Sequence, residues 1–246
     1  MMKKLTLLAA AMLTATVALA AAPAPHKEGI EGKDYKWNAQ EGEKMEALKK
    51  KGRIKEGEEA YEACGACHLP SGAGRPDGTF PQLAGQHTTV LIKQMADIRA
   101  GLRDNPTMYP FAISLTDPQE LADAAAYIES LCIPTTHGVY EGKDAAVQIA
   151  TGKALYEKQC LECHGKNGEG QKEKFYPVIA GQHYKYLLRQ MTEIRDGKRR
   201  NANPDMVKVI KPYTNDQLVA ISAYQSSLTM PGSMCKAKAG APAKKK

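Results

Sequence analysis

Core-building aromatics are scarce in this chain: among 246 residues there are three Phe and one Trp. A unit this poor in large apolar side chains needs another source of stability, such as a tightly held ligand or a cross-link. Long apolar runs are missing after the first twenty residues. No later segment offers the roughly 20 apolar residues of a spanning helix. Alternating β-branched runs are missing as well, so little sheet is expected. A charged face is the last absence. The formal net charge is +7, yet seven lysines (Lys3, Lys4, Lys236, Lys238 and Lys244, Lys245, Lys246) lie at the two ends. Without them, residues 21–235 hold 27 basic and 27 acidic side chains. That balance gives nucleic-acid binding no support.

The ends read as separate from the fold. Lys3 and Lys4 precede an apolar stretch over residues 5–19, and Ala18-Leu-Ala20 is a small-x-small cleavage site. Residues 1–20 therefore read as a secretory signal peptide, cut after Ala20 or Ala22, rather than as a retained anchor. Residues 21–56 are polar and lysine-rich, contain Trp37 and carry no chemical motif. Residues 234–246 form a Lys-rich tail. It reads as solvated chain, or as a tether to an acidic partner or an anionic membrane surface.

Between the ends the chain repeats itself. Cys64-Gly-Ala-Cys67-His68 returns as Cys160-Leu-Glu-Cys163-His164, and Pro81-Gln-Leu-Ala-Gly-Gln-His87 as Pro177-Val-Ile-Ala-Gly-Gln-His183, both 96 residues on. Gln94-Met95 and Ile98-Arg99 return as Gln190-Met191 and Ile194-Arg195. Asn105-Pro-Thr-Met108 then matches Asn203-Pro-Asp-Met206, two residues further out of step. A self-similar period with small slips in loops means two copies of one fold. The copies are assigned to residues 57–134 and 141–233, joined by a linker over 135–140.

Each copy reads as helical. Leu91, Met95, Ile98 and Leu102 share a helix face, which Gly101 is placed to end; Leu187, Met191, Ile194 and Gly197 repeat this. A closing helix starts at Asp117 with Pro118 and Glu120. In the second copy Thr214 and Gln217 take the capping roles. The fold class is therefore all-α, two small helical bundles in tandem.

Cys-x-x-Cys-His is the signature of c-type haem attachment. Two thiols three positions apart can reach the two vinyl groups of one porphyrin, and the adjacent imidazole faces the iron. A structural zinc site would bring two such motifs together, and a thioredoxin-like pair would accompany a βαβ pattern; neither fits two separate copies. Two covalent haem c groups are expected, with Cys64, Cys67, Cys160 and Cys163 as attachment points and His68 and His164 on the iron. For the opposite ligand each copy offers two methionines. Met95 and Met191 lie on the apolar helix face, whereas Met108 and Met206 follow it in what reads as a loop and are the favoured pair. His87 and His183 are the remaining candidates and read as structural or as partners of the haem propionates. The same two readings apply to Arg99, Arg195, Tyr127 and Tyr224. The carbonyls of Pro81 and Pro177 are placed to accept the other ring N–H of each ligand histidine. Cys132 and Cys235 fall outside the motifs, and in an oxidising compartment they are candidates for a disulfide.

The ordered set over residues 57–230 resembles dihaem cytochrome c4: Cys-x-x-Cys-His, Pro-x-x-Ala-Gly-Gln, Gln-Met-x-x-Ile-Arg-x-Gly, then a Met and a closing helix, all present twice. The resemblance implies two class I cytochrome c units about a pseudo-twofold axis. Their haem edges would face each other, with His68/Met108 and His164/Met206 ligation. It further implies a periplasmic location and an electron carrier rather than an enzyme. The partners would be redox proteins: a quinol-oxidising complex or dehydrogenase as donor, a terminal oxidase or reductase as acceptor. Peripheral membrane association is a further option for the tail. Two alternatives remain: a cytochrome subunit of a periplasmic dehydrogenase complex, and a dihaem enzyme such as a thiosulfate dehydrogenase. The residue 21–56 segment, the lysine tail and the extra cysteine pair depart from the family pattern.

Overall fold

The computed structural model describes residues 36–230, Gly232 and the main chain of Met234 and Cys235. The expected signal peptide and the lysines of the tail lie outside the described residues. The helices run in two series. The first is α1 (Glu43–Leu48), α2 (Ile54–His68), α3 (Thr88–Arg99), α4 (Tyr109–Ser114) and α5 (Pro118–Ser130). The second is α6 (Ala145–Gln159), α7 (Leu161–His164), α8 (Tyr184–Arg195), α9 (Pro204–Ile210) and α10 (Asn215–Ser227), with a single 3-10 turn over Lys172–Lys174. Sheet is confined, among the described residues, to one parallel pairing of β1 (Ile133–Pro134) with β2 (Met234–Cys235).

Each unit is built on a close helix crossing, α2 against α5 and α6 against α10. Glycine makes the approach possible. A Cβ on Gly57 would stand 2.0 Å from the Asp123 carbonyl oxygen, and one on Gly152 would stand 1.9 Å from that of Ala220. Beside each crossing two tyrosines meet, Tyr61 with Tyr127 at 5.4 Å and Tyr156 with Tyr224 at 5.2 Å between ring centroids. This gives Tyr127 and Tyr224 their place as packing residues. Leu91, Ile92, Leu121, Ala125 and Ile128 complete the first core, and Leu187, Met191, Ile194, Leu218 and Ile221 serve the second.

The capping signals act as expected, with one change. Thr214 and Gln217 close a reciprocal capping box. Asp117 accepts from the N–H groups of Gln119 and Glu120, but Glu120 reaches back to Thr116 instead of Asp117. Helix α3 stops at Arg99 and Gly101 adopts φ 69°, so Leu102 lies beyond the helix rather than on its face.

Three boundaries move. The N-terminal extension is not separate from the first unit: α1 packs on α3 and α5, Ala47 is fully buried, and α2 begins at Ile54 instead of 57. A short helix needs only one buried face, which the polar composition of residues 21–56 hid. The expected linker is folded against the second unit: His137 Nε2–H donates to the Ser226 carbonyl (2.7 Å), and Gly138 N–H donates to His183 Nδ1 (3.0 Å). Met234 and Cys235, assigned to the tail, pair with β1. Cys132 is disulfide-bonded, whereas the four motif cysteines are not.

The two units dock reciprocally, as a twofold contact requires. Gln82 N–H donates to Gln182 Oε1 (3.0 Å), and Gln182 Nε2 donates back to the Gln82 carbonyl (2.9 Å). Val178 and Gln86, their counterparts in the repeat, exchange the same two bonds at 2.9 Å. His87 Nε2–H donates to the Glu169 carbonyl and His183 Nε2–H to that of Ala73, each 2.8 Å and each across the interface.

His183 makes this docking pH-sensitive. Its Nδ1 must stay unprotonated to accept from Gly138 while Nε2–H donates to Ala73. Burial lowers its pKa, the Ala73 carbonyl opposes that, and nearby His137 lowers it further. A group with a lowered folded pKa contributes fully above its unfolded value of about 6.5, and loses its contribution as pH falls through the window below. Guanidinium denaturation at pH 7.5 and pH 5 is expected to show a larger loss of stability on acidification for the native chain than for His183→Gln. Equal losses would remove His183 as the cause.

Candidate haem sites

Each motif histidine is held at the C-terminal end of a helix. His68 ends α2 and His164 ends α7; both are buried, 6% and 8% exposed. His68 Nδ1–H donates to the Pro81 carbonyl at 2.9 Å, and His164 Nδ1 stands 3.4 Å from that of Pro177. A proline carbonyl 13 residues further on thus fixes each ring through Nδ1, and Nε2 is the nitrogen that could bind a metal. Burial lowers the pKa of both imidazoles, opposed by the proline carbonyls, and so favours the neutral form that binds metal.

The thiols lie beside them. Burial pushes Cys64 up, and Cys160, buried and next to Cys163, is pushed up to about 11. Such thiols are the reverse of the low-pKa thiolates of dithiol redox enzymes. Among the described residues no group of three or more His, Cys, Asp or Glu is arranged around a metal ion, so a zinc site is not formed.

Both motifs open on one cavity of about 810 Å³. Cys64, Cys67, His68 and Met108 line it from the first unit; Cys160, Cys163, His164 and Met206 line it from the second. The rest of the wall is largely apolar, with Leu91, Ile98, Leu121 and Ile128 among its residues. The scarcity of aromatics now has a structural counterpart: large flat ligands, not side chains, are what this core is shaped to hold.

Met206 does not sit in a loop, whereas Met108 does lie outside the helices, in the turn that leads into α4. Met206 is in the first turn of α9, and Met108 is the N-cap of α4. In the second copy Asn-Pro-x-Met is a helix start, and in the first it forms the turn that leads into α4. Asn105 Oδ1 accepts from Met108 N–H (3.1 Å), and Asn203 Oδ1 accepts from Met206 N–H (3.4 Å). Asn203 caps the orphan N–H groups of α9, and Pro204 suits its first turn. The competing methionines also line the cavity, Met191 as a buried core residue and Met95 half-buried on the first core.

The propionate candidates resolve differently. His87 and His183 face the opposite unit through carbonyls and are not among the lining residues. Arg99 donates to the Ala112 and Leu115 carbonyls, and Arg195 to that of Tyr213, so both tie helices together. The cations that do line the cavity are Arg103, Arg189, Lys198 and Arg199, and two of them, Arg103 and Arg199, face each other. They meet across the interface on shared amides: each donates to both Gln94 Oε1 and Gln190 Oε1. Burial, and then Arg103, lower the Arg199 pKa to about 10. These two like charges meet on neutral amides with the carboxylates of Glu193 and Asp97 nearby, and the carboxylates of a haem would be a further anion for them. The signal was present in the sequence: Arg103 and Arg199 stand 96 residues apart, in register with the repeat.

The chain matches the model of the cytochrome c family twice, over residues 54–132 and 149–229. It is 34% identical over 184 residues to cytochrome c4 of Azotobacter vinelandii, covering 67% of this chain and 84% of that protein. It is 32% identical over 168 residues to the thiosulfate dehydrogenase electron acceptor of Stutzerimonas stutzeri (strain A1501), covering 66% and 77%. The crystal structure of reduced recombinant cytochrome c4 from Pseudomonas stutzeri superposes with a TM-score of 0.62 at 31% identity, over 73% of this chain and all of that one. The chain therefore belongs to the cytochrome c4 family, electron-transfer proteins of two tandem cytochrome c units with two covalently bound haem c groups.

Proposed function

We propose that this chain is a periplasmic carrier that passes electrons between redox proteins through two His/Met haems. Cys64 and Cys67 hold one group and Cys160 and Cys163 the other. His68 with Met108, and His164 with Met206, complete the two iron sites. The observation that carries this reading is the shared cavity: each unit supplies its histidine and its Asn-bonded methionine to the same partly open space. Haem iron supplies the one-electron couple. The protein contributes the rest. It fixes the histidines through Pro81 and Pro177, surrounds the sites with apolar side chains, and holds the two units in one arrangement through the reciprocal glutamines. Rigid six-coordinate sites keep reorganisation small, which is what outer-sphere transfer requires.

A quinol-oxidising complex or a dehydrogenase fits as donor, and a terminal oxidase or reductase as acceptor. Among the described residues no helix is long and apolar enough to cross a membrane. The name of the Stutzerimonas stutzeri relative supports a second reading, in which the same two haems accept electrons from one fixed dehydrogenase. Catalysis by the chain itself has less support. A sulfur-compound enzyme would need a labile iron position or a cysteine as distal ligand, and the one spare cysteine with a described side chain, Cys132, is in a disulfide.

Mass spectrometry of the mature protein is expected to show two haem adducts on a chain starting near Ala21, retained in acidified organic solvent. A redox titration is expected to resolve two one-electron steps and no turnover of thiosulfate. One adduct, or haem lost to the solvent, would overturn the two-haem reading; thiosulfate oxidation by the isolated chain would overturn the carrier reading.

A further inference from the structure

The repeat accounts for both haem sites but not for Trp37, the only tryptophan of the chain. Trp37 stands outside both copies, before α1, and lines the shared cavity. Its ring meets one residue from each unit. From the first, Lys93 Nζ lies 5.2 Å from the ring centroid; this ammonium is 1% exposed and paired with Asp97 at 2.6 Å. From the second, Phe175 stands edge-on at 6.0 Å and 88°. Both are favourable geometries for an indole.

The segment is fastened at both ends. On the first unit α1 buries Ala47, and Glu43 pairs with Arg99 at 2.9 Å. On the second, Lys44 Nζ lies 5.3 Å over the Phe175 ring and also donates to Asn38 Oδ1. Phe175 is itself unusual, a non-glycine residue in the left-handed region at φ 57°, ψ 25°. Such a conformation is unfavourable for a bulky residue and calls for a reason. The first copy has Thr79 at the matching position, so the ring that receives Trp37 belongs to the second unit alone. Beyond Phe175, Trp37 borders a second cavity of about 360 Å³, together with Tyr176, Asn203 and Asp205. These residues flank Pro177, which holds His164, and Met206. Trp37 thus stands beside the second haem site, whereas the aromatic residues of the first unit on the cavity wall, Phe80 and Phe111, belong to that unit's own repeat.

We propose that residues 36–48 form a strap that clamps the second unit to the first and screens the second haem site from water, with Trp37 as the positioning residue that sets the two haems apart in potential. The inference rests on the two-haem reading. Excluding water from a haem disfavours its more highly charged oxidised state and raises its potential. Removing the indole lowers one potential and not the other.

The test is a redox titration of the mature two-haem protein and three variants. In Trp37→Ala the potential of one haem is expected to fall while the other stays in place; Trp37→Phe, which keeps a ring, is expected to stay near the native values. Phe175→Asn removes the strap's seat on the second unit and leaves Trp37 intact, with a residue that tolerates the left-handed conformation. It is expected to lower the same single potential, and it decides the matter if Trp37→Ala does not fold. Two unchanged potentials in the folded variants, or two that fall together, would overturn the strap. The visible spectrum of the native protein counts the haems beforehand, so a failure of the two-haem reading is seen separately.

Discussion

Replacing Met206 with alanine is expected to remove about half of the weak far-red sulfur-to-iron charge-transfer band of the oxidised protein and to lower one haem potential, by on the order of 0.2 V within the range that axial ligands span. Replacing Met108 is expected to do the same to the other haem. The argument is one of position. Each side chain lines the cavity, and each main chain is pinned by an asparagine at the start of a helix. A thioether at a helix end is held at a defined place, and Met206 also packs, partly buried, on the edge of the second core. Met191 is taken up by a core: it is 5% exposed among Ile194, Ile210, Leu218 and Ile221. Met95 is the sharper competitor, because it is half-buried beside the first core. Visible spectra of oxidised Met95→Ala and Met108→Ala separate the two. Loss of the band in Met95→Ala and its retention in Met108→Ala would reassign the ligand to α3.

Gly152→Ala is expected to be strongly destabilising, its methyl making a shorter contact than one on Gly57 or Gly197. Its Cβ would lie 1.9 Å from the Ala220 carbonyl oxygen and 2.5 Å from the carbonyl carbon. Neither atom can turn aside as a side chain could, so α6 and α10 must part along the crossing that carries the second unit. Overpacking of this kind costs about 3 kcal/mol. For a domain pair of this size that lowers Tm by roughly 6–12 °C. Gly57→Ala meets the Asp123 carbonyl at 2.0 Å and is expected to do the same to the first unit. Gly197→Ala is the control. It has φ 74° with nothing within 4 Å of the new methyl. Its cost is that of one left-handed alanine, about 1–2 kcal/mol. Thermal unfolding followed by far-UV circular dichroism ranks the three. A Gly152→Ala curve no lower than that of Gly197→Ala would mean that the crossing yields easily.

Much of the site was legible because its chemistry is written in short spacings. Cys-x-x-Cys-His brings thiols and imidazole together within one helical turn. The proline that receives the histidine N–H lies 13 residues on in both copies. Thr214 with Gln217, and Asp117, announce helix starts by side-chain type alone. Asn-Pro-x-Met carried the same kind of signal in the second copy but was read there as a loop. Its Asn-Pro pair is equally a turn former, and the helix it starts, seven residues long, shows too little periodicity to be recognised.

The sequence by itself determined that there are two copies, that each is helical, and that each carries the residues of a haem site. What it could not determine is how the copies meet. Gln82, Gln86, Gln182, His87 and His183 look local in the sequence, next to a helix start. In the structure they are interface residues, each bonded to a partner between 82 and 110 residues away. Arg103 and Arg199 carry no motif in the sequence, and the docking turns them into a facing pair on the shared cavity. Trp37 belongs to a segment without a motif, and only the folded chain lays it across both units. Spacing encodes what neighbours along the chain can do. Contacts between copies depend on shape and on which polar groups each surface leaves unpaired, and those exist only once both units have folded.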